Sequence, residues 1–370
     1  MEYVQERVAT LHAYDDPNPA VPVEETAVVV PLVDRDHATP AATQVFETLS
    51  TLSPAQLIVA LRADPDRVAD VYSWLSGFEL PLTVLWCNAP PVETALADAG
   101  LNGTAGKGRD VWLALGLASE YDYVVVHDAD TTSYDRTHVP RLLFPLVNGF
   151  SFTKGYYARV ENGRLYGRLC RLFVMPLLRA LSDERDDPIV RYLNAFRYPL
   201  AGEFAVTGEM ATHLRSPRGW GLEIGTLGDA FDQAGFEGSA QVDLGMHEHD
   251  HRPVAGTGGL GSMANEVGQT LFTVLEEHGV SPAYERLPER YQAVGTQMVA
   301  QYGADAGFNG LSYDAKAERA QVERYRDAIT KPGTDDRLPS WTNAPIDPAL
   351  IADRSERALA RLSPSVQRNP

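Results

Sequence analysis

Four short apolar runs constrain this chain more than any other feature. They are Thr26-Ala-Val-Val-Val-Pro-Leu32, Leu57-Ile-Val-Ala-Leu61, Leu82-Thr-Val-Leu-Trp86 and Tyr123-Val-Val-Val-His127. Helical patterning separates them, at 39–55, 64–77 and from Gly108 to Glu120. Runs this short and this rich in β-branched residues read as strands buried on both faces. Strands alternating with helices at this spacing predict an α/β fold with a mainly parallel sheet covered on both sides. Ligands of such sheets sit outside the carboxyl ends of the strands. Polar residues just after Leu32, Leu61, Trp86 and His127 are therefore the first candidates for a site.

The regular alternation stops after the fourth run. A strand is expected over Phe150 to Val160, a turn at Gly163 and an amphipathic helix over 165–181. Helices at 187–197, 207–215 and 222–234 lead to a strand at Ala240-Gln-Val-Asp-Leu244. From about 258 the pattern is helical (262–278, 285–302, 313–329), and the Pro-rich polar stretch beyond Lys331 reads as a draped tail. Residues 1–25, ending in Pro17, Pro19 and Pro22, read as an arm leading into the fold. No internal repeat is present.

Composition excludes several classes. The 370 residues are 44% apolar and 9% aromatic, enough to bury a sizeable core rather than stay disordered. Fifty acidic against 32 basic residues give a formal charge of −18, which argues against nucleic acid as a partner. Only Lys107, Lys154, Lys316 and Lys331 are lysines, so 28 of the 32 basic residues are arginine. That balance suits a halophilic protein, because carboxylate repulsion is screened within about 3 Å at 1 M salt. A GC-rich genome would also favour arginine. Two cysteines without a Cys-x-x-Cys pair, a polar and acidic start from Met1 to Asp16, and no apolar run near 18 residues suggest a soluble cytoplasmic protein with no membrane span.

Three segments carry chemistry. His127-Asp128-Ala129-Asp130 follows the fourth run directly. Two carboxylates at i and i+2 on an extended segment point the same way and converge on one hard cation, Mg²⁺ or Mn²⁺, which keeps sites open for phosphate oxygens. Turn chemistry is the plainer reading of the same residues. Gly106-Lys107-Gly108 opens a helix, where the helix N-terminus plus an ammonium attracts a diphosphate, although the P-loop spacing is absent. Met246-His247-Glu248-His249-Asp250-His251 alternates three of the nine histidines after a strand, suiting a metal ligand or proton handler, or else a solvated strand end. Pro199-Leu200-Ala201-Gly202-Glu203 and Gly219-Trp220-Gly221-Leu222-Glu223-Ile224-Gly225 place carboxylates near helix starts, where either also complements the dipole. Thr153-Lys154-Gly155-Tyr156-Tyr157-Ala158-Arg159 holds a second scarce lysine among aromatics.

The order of these pieces resembles the glucosyl-3-phosphoglycerate synthases, retaining glycosyltransferases. The match runs through Val30-Pro31-Leu32, Gly106-Lys107-Gly108, Asp128-Ala129-Asp130, Lys154-Gly155-Tyr156-Tyr157, Gly163-Arg164, Pro199 to Glu203, Gly221 to Gly225 and Val242 to Gly245 with His249. It covers residues 26 to about 275. The resemblance implies a GT-A (nucleotide-diphospho-sugar transferase) fold with a mainly parallel mixed sheet flanked by helices and a helical C-terminal extension. It divides the chain into a GT-A domain at 26–257, with a nucleotide-binding half at 26–130 and an acceptor half at 131–257, a helical extension at 258–330 and a tail at 331–370. The implied activity is metal-dependent hexose transfer from a nucleotide-sugar donor to a small anionic acceptor such as 3-phosphoglycerate.

Residue roles follow by the same resemblance. Pro31, Leu32 and Asp34 lie with the nucleotide, Lys107 near the diphosphate, and Asp128 and Ala129 against the donor. Asp130, with Asp128 and His249, binds Mg²⁺ or Mn²⁺. Leu200, Gly202 and Glu203 border the donor sugar, and Glu223 is the catalytic acid group facing donor and acceptor. Gly163 and Arg164 grip the acceptor phosphate, with Lys154, Tyr166 and His251 alongside. Some positions depart from the family: Pro31-Leu-Val-Asp-Arg35 replaces Pro-Ala-Leu-Asn-Glu, Leu61-Arg62-Ala63-Asp64 lacks an Asp-Ser, Tyr166 stands for a threonine and His251 for an asparagine. Two rival readings stand beside it. Asp128-Ala-Asp-Thr131-Thr132 also resembles a haloacid-dehalogenase nucleophile loop, although three strands precede it here, and a nucleotide-binding protein without catalysis is the other. The helices after 258 are read as structural or as a homodimer contact.

Overall fold

The computed structural model of the chain describes residues 5–248 and 259–362. In chain order its strands are β1 (Ala9–Leu11), β2 (Thr26–Val33), β3 (Gln56–Arg62), β4 (Leu82–Trp86), β5 (Tyr123–Val126), β6 (Phe152–Glu161), β7 (Arg164–Leu165), β8 (Phe204–Thr207) and β9 (Ser239–His247). They form one mixed sheet ordered β1-β9-β6-β8-β5-β2-β3-β4, with β7 off that path and paired to β6. The half from β5 to β4 is parallel throughout. β8 then runs antiparallel to both β5 and β6, while β6, β9 and β1 are parallel among themselves. Val28, Val29, Val30, Val59, Leu61 and Val125 are fully inaccessible, as expected for strands covered on both faces. Each such side chain contributes roughly 1.5–3 kcal/mol by leaving water.

The helices are α1 (Pro40–Leu52), α2 (Val68–Leu75), α3 (Pro90–Asp98), α4 (Lys107–Ala118), α5 (His138–Val147), α6 (Met175–Ser182), α7 (Pro188–Leu193), α8 (Gly208–His213), α9 (Leu222–Gln233), α10 (Gly259–Glu277), α11 (Leu287–Phe308), α12 (Ala315–Tyr325) and α13 (Pro348–Leu362). Local chemistry sets several boundaries. Thr39 caps α1, its Oγ1 accepting from Ala42 N at 3.2 Å, and Pro40 follows at the first helical position. The helix ends where Ser53 turns left-handed at φ 52°. The amphipathic stretch expected at 165–181 is helical from 168 and passes through a π-helical turn at Cys170–Val174 before α6.

Four expectations need correction. The N-terminal arm is partly sheet: β1 pairs with β9, Ala9 opposite Ala240. It is also tied down by Tyr156 Oη against His12 Nδ1 at 2.9 Å and by an ion pair between Arg141 and Asp16. The alternation does not stop after β5, because α5 follows it. Pro140 and Pro145 within that helix hid its pattern. β8, only four residues long, is a strand that the sequence pattern does not predict, and its last residue falls where the helix at 207–215 was expected to start. The polar tail holds α13, which packs on β4, α3 and α4. Ser355 Oγ of α13 accepts from Trp86 N at 2.7 Å, so this helix covers the edge that β4 would otherwise expose. No helix among the described residues is long and apolar enough to cross a membrane.

Sheet register decides where polar residues gather. Val126 lies opposite Phe204, so the exit of β5 (His127 to Asp130) meets the entry to β8 (Leu200 to Glu203). Lys154 also lies opposite Phe204, from the other side. β2 runs past the end of β5, whose last pair joins Val126 to Val29. Val29 O still accepts from His127 N at 3.2 Å, and Pro31, two residues on, faces the same side beyond that ladder. Its missing N–H therefore removes no bond from the sheet, which is what admits a proline to a central strand.

Candidate active site

The centre of the site is the ammonium of Lys107. Gly106 precedes it as the extended cap of α4, and Lys107 is the first residue of that helix. Its Nζ lies 2.8 Å from Asp128 Oδ1, 2.9 Å from Asp128 Oδ2 and 3.2 Å from Glu223 Oε1. Glu223 stands in the first turn of α9, whose cap is Gly221 at φ 104°. A Cβ at Gly221 would lie 2.4 Å from Thr270 Oγ1, so both conformation and space there require glycine. From the β8 side Gly202 presses against the pair. A Cβ on it would fall 2.5 Å from Asp128 Oδ2 and 3.2 Å from Lys107 Nζ.

The cleft is strongly acidic. Desolvation favours the neutral acid at Asp128, opposed by Lys107 and reinforced by Glu203 and Glu223. Desolvation and then the Asp128 charge push Asp130 up to about 7. Desolvation works against the charge on Lys107, but Asp128 and Glu223 outweigh it and hold the ammonium above its ordinary range. Two strand-end carboxylates that cannot both ionise comfortably are a donor set suited to a divalent cation, whose charge would remove that conflict. Among the described residues no three His, Cys, Asp or Glu side chains form a metal-ligand set. His249, expected as the further ligand, lies outside the described residues, as does His251.

A buried layer supports the carboxylates. His247, at the end of β9, is fully buried; its Nε2 lies 3.0 Å from Thr131 Oγ1 and 3.5 Å from Glu203 Oε1. Tyr157 stacks on its ring with centroids 4.0 Å apart. His127, lowered to about 4 by burial, is neutral and bonds Tyr134 Oη at 3.0 Å. Lys154, expected on the acceptor side, is 1% exposed and donates to Ala201 O at 2.6 Å. It therefore holds the Leu200–Glu203 segment from beneath. Burial lowers it to about 8, with Glu223 and Glu203 opposing.

The remaining expected residues lie around this centre. Leu32 is buried and Pro31 half-buried at the exit of β2. Asp34 Oδ2 accepts from Asp64 N at 3.1 Å, joining the ends of β2 and β3. Ala129 is buried between the two aspartates and Leu200 is half-buried. Gly163, at φ 67°, turns the β6–β7 hairpin, leaving Arg164 exposed and Tyr166 half-buried. The structure thus brings together Lys107, Asp128, Gly202 and Glu223, with Asp130 and Glu203 in the same field, and sets the hairpin further along β6. Sequence reasoning named the segments that hold Thr131, Tyr157 and His247 without giving these residues a supporting role, and missed the close packing of Pro217 to Gly219 on α4. The glycine-rich run from Arg218 to Gly225 was the available signal for that packing.

A parallel half-sheet ending in paired aspartates, beside an antiparallel strand that carries the opposing loop, agrees with the GT-A glycosyltransferase fold that the sequence resemblance implies. No protein-family model matches the chain. Its sequence is 32% identical to the glucosyl-3-phosphoglycerate synthase of Methanococcoides burtonii over 93% of this chain and 94% of that one. Among solved structures, the glucosyl-3-phosphoglycerate synthase of Mycobacterium tuberculosis, in complex with Mn²⁺, UDP-glucose and phosphoglyceric acid, superposes with a TM-score of 0.56. That likeness has 27% identity and covers 75% of this chain and 89% of that chain. The same enzyme in complex with Mg²⁺ and UDP gives a TM-score of 0.54, with 27% identity over 75% of this chain and 88% of that chain. The chain belongs to the glucosyl-3-phosphoglycerate synthase family. The phosphohydrolase reading falls with that membership.

Proposed function

We propose that this chain transfers glucose from UDP-glucose to 3-phosphoglycerate with retention at the anomeric carbon, using Mn²⁺ or Mg²⁺. The observation that carries the reading is the Lys107 ammonium held between Asp128 and Glu223 at the carboxyl end of the parallel strands. Asp130, with Asp128 and His249, would hold the divalent ion, which when bound neutralises charge developing on the departing diphosphate. Lys107 turns from its carboxylates to that diphosphate. Pro31, Leu32 and Asp34 border the nucleotide, and Leu200, Gly202 and Glu203 the sugar. Gly163, Arg164, Tyr166 and His251 receive the acceptor.

The acceptor hydroxyl attacks the anomeric carbon on the face from which the diphosphate leaves. Its oxygen forms the new bond as the bond to the β-phosphate oxygen breaks, and that phosphate oxygen takes the hydroxyl proton. Glu223, 8% exposed and aimed at Lys107, orients the reacting groups. The charge of −18 with four lysines supports work in concentrated salt. Product assays with UDP-glucose, Mn²⁺ and an acceptor panel including 3-phosphoglycerate test the reading. Asp130→Ala is expected to abolish turnover, and a normal rate in that variant sinks it.

A further inference from the structure

The acceptor hairpin is clamped from the C-terminal helical extension by a buried ion pair. Arg171 and Glu318 meet face to face, Nη1 to Oε2 at 3.0 Å and Nη2 to Oε1 at 2.6 Å. Their side chains are 9% and 11% exposed. The bidentate geometry fixes the guanidinium plane. In that plane Arg171 Nε donates to Tyr166 O at 2.7 Å and Nη2 to Leu165 O at 3.4 Å. The Tyr302 ring of α11 lies against the guanidinium, 4.7 Å from its centroid, and restricts it further. Arg171 itself sits in the π-helical turn, an irregularity that re-aims side chains relative to an unbroken helix.

A second contact joins the same two regions. Ser312, just before α12, donates its N–H to Gly163 O at 2.8 Å and forms a bridge with Arg164. The hairpin is therefore fixed on one side by β6, with Tyr166 N donating to Arg159 O at 2.9 Å, and on the other by residues about 150 positions later. The ion pair touches none of Lys107, Asp128 or Glu223. It is bound to the backbone on either side of the Tyr166 Cα, so it sets where Arg164 and Tyr166 present themselves.

We infer that Glu318 is a positioning residue for the acceptor: acting through Arg171, it holds the Gly163–Tyr166 hairpin in the conformation that receives the acceptor's phosphate. The inference rests on the acceptor role given to that hairpin above. A helical extension that only added stability would affect donor and acceptor alike. Glu318 instead controls one substrate.

Steady-state kinetics with each substrate varied, UDP-glucose binding by calorimetry, and urea unfolding of Glu318→Gln, Glu318→Asp and Arg171→Lys test this. Glu318→Gln keeps shape but loses charge and one acceptor oxygen. It is expected to raise KM for 3-phosphoglycerate about tenfold or more, the equivalent of 1.4 kcal/mol, while UDP-glucose affinity stays within about twofold. Glu318→Asp should recover part of that loss, whereas Arg171→Lys, lacking the planar fork, should not. Should the buried substitutions fail to fold, Tyr302→Leu removes the stacking ring and leaves the ion pair, with a smaller acceptor-specific defect expected. Unchanged acceptor KM in folded variants, or donor and acceptor constants that deteriorate together with stability, overturns the inference. If the wild-type enzyme consumes UDP-glucose but uses no phosphorylated acceptor, the underlying functional reading fails instead.

Discussion

A single methyl group at Gly108 tests the link between fold and site. A Cβ there would lie 1.9 Å from Pro217 O, 3.0 Å from Pro217 C and 3.1 Å from Gly219 O. All three are backbone atoms, so no side chain can swing aside, and the Pro217–Gly219 segment must move more than an ångström away from α4. Overpacking of this kind costs about 1–3 kcal/mol. The displaced segment would also strain Gly108 N to Gly219 O (3.3 Å), Arg109 N to Arg218 O (3.0 Å) and Ser216 Oγ to Gly108 O (2.9 Å). Each such bond contributes about 1 kcal/mol net, which brings the expected destabilisation of Gly108→Ala to roughly 2–4 kcal/mol. The same segment continues into Gly221 and Glu223, so Glu223 shifts relative to Lys107 and UDP-glucose affinity should fall with stability. Urea unfolding and donor calorimetry read the two effects. Gly307→Ala in α11, with open space around the new methyl and no left-handed backbone, is the control and should stabilise by about 0.5–1 kcal/mol. A Gly108→Ala protein within 0.5 kcal/mol of wild type (roughly the scatter of neutral surface changes), binding donor normally, would refute the reasoning.

Three further outcomes are expected. Glu223→Gln should lower kcat about a hundredfold, the scale of positioned polar groups, with a much smaller change in UDP-glucose affinity; equal losses in both would deny Glu223 a catalytic part. Burial raises Asp110 to about 6 despite its 2.8 Å bond from Arg62 Nε, so its contribution to stability is full below about 3.8 and is lost as pH rises through about 6. The unfolding free energy of wild type minus that of Asp110→Asn should therefore increase from pH 7 to pH 4, by up to about 3 kcal/mol, and a flat or opposite trend in urea titrations contradicts this. Trp341 stacks on Trp112 with centroids 4.0 Å apart and donates from Nε1 to Trp112 O at 2.8 Å. Trp341→Ala should cost about 2–4 kcal/mol of global stability, whereas loss of the tail alone, with the main transition unmoved, would show that the stretch after Lys331 only drapes the surface.

The central strands were legible because burial on both faces leaves an unbroken apolar run, and β2, β3, β4 and β5 all fall where such runs occur. Elements were illegible where one residue type suppressed the pattern. Pro90 and Pro91 open α3, a helix that the sequence pattern does not announce, and two prolines lie inside α5. β1 and β8 are three and four residues long, and their state is decided by the neighbouring strand rather than by their own composition. α13 lies in a polar stretch because it covers the sheet edge with one narrow stripe, Ile351, Ser355, Ala358 and Leu359.

The site divides along the same line. Asp128 and Asp130 stand out in the sequence because two carboxylates two residues apart on one extended segment point the same way. Lys107 and Glu223 are 116 residues apart, and their 3.2 Å contact rests on the Pro217–Gly219 segment, which leads into α9 and packs on the first turn of α4. β8 in turn lies antiparallel between β5 and β6. That reversal brings the loop before β8 to the same end of the sheet as the loop after β5, so Gly202 can touch Asp128. With a parallel strand in its place, the Glu203 end would lie at the opposite edge, and Lys107 would face the acidic cluster without the loop that closes it. The reversal also sets Glu203 in the same field as Asp128, Asp130 and the Lys107 ammonium. A divalent cation held there would relieve the conflict between these carboxylates, and its open positions would accept the phosphate oxygens of a donor.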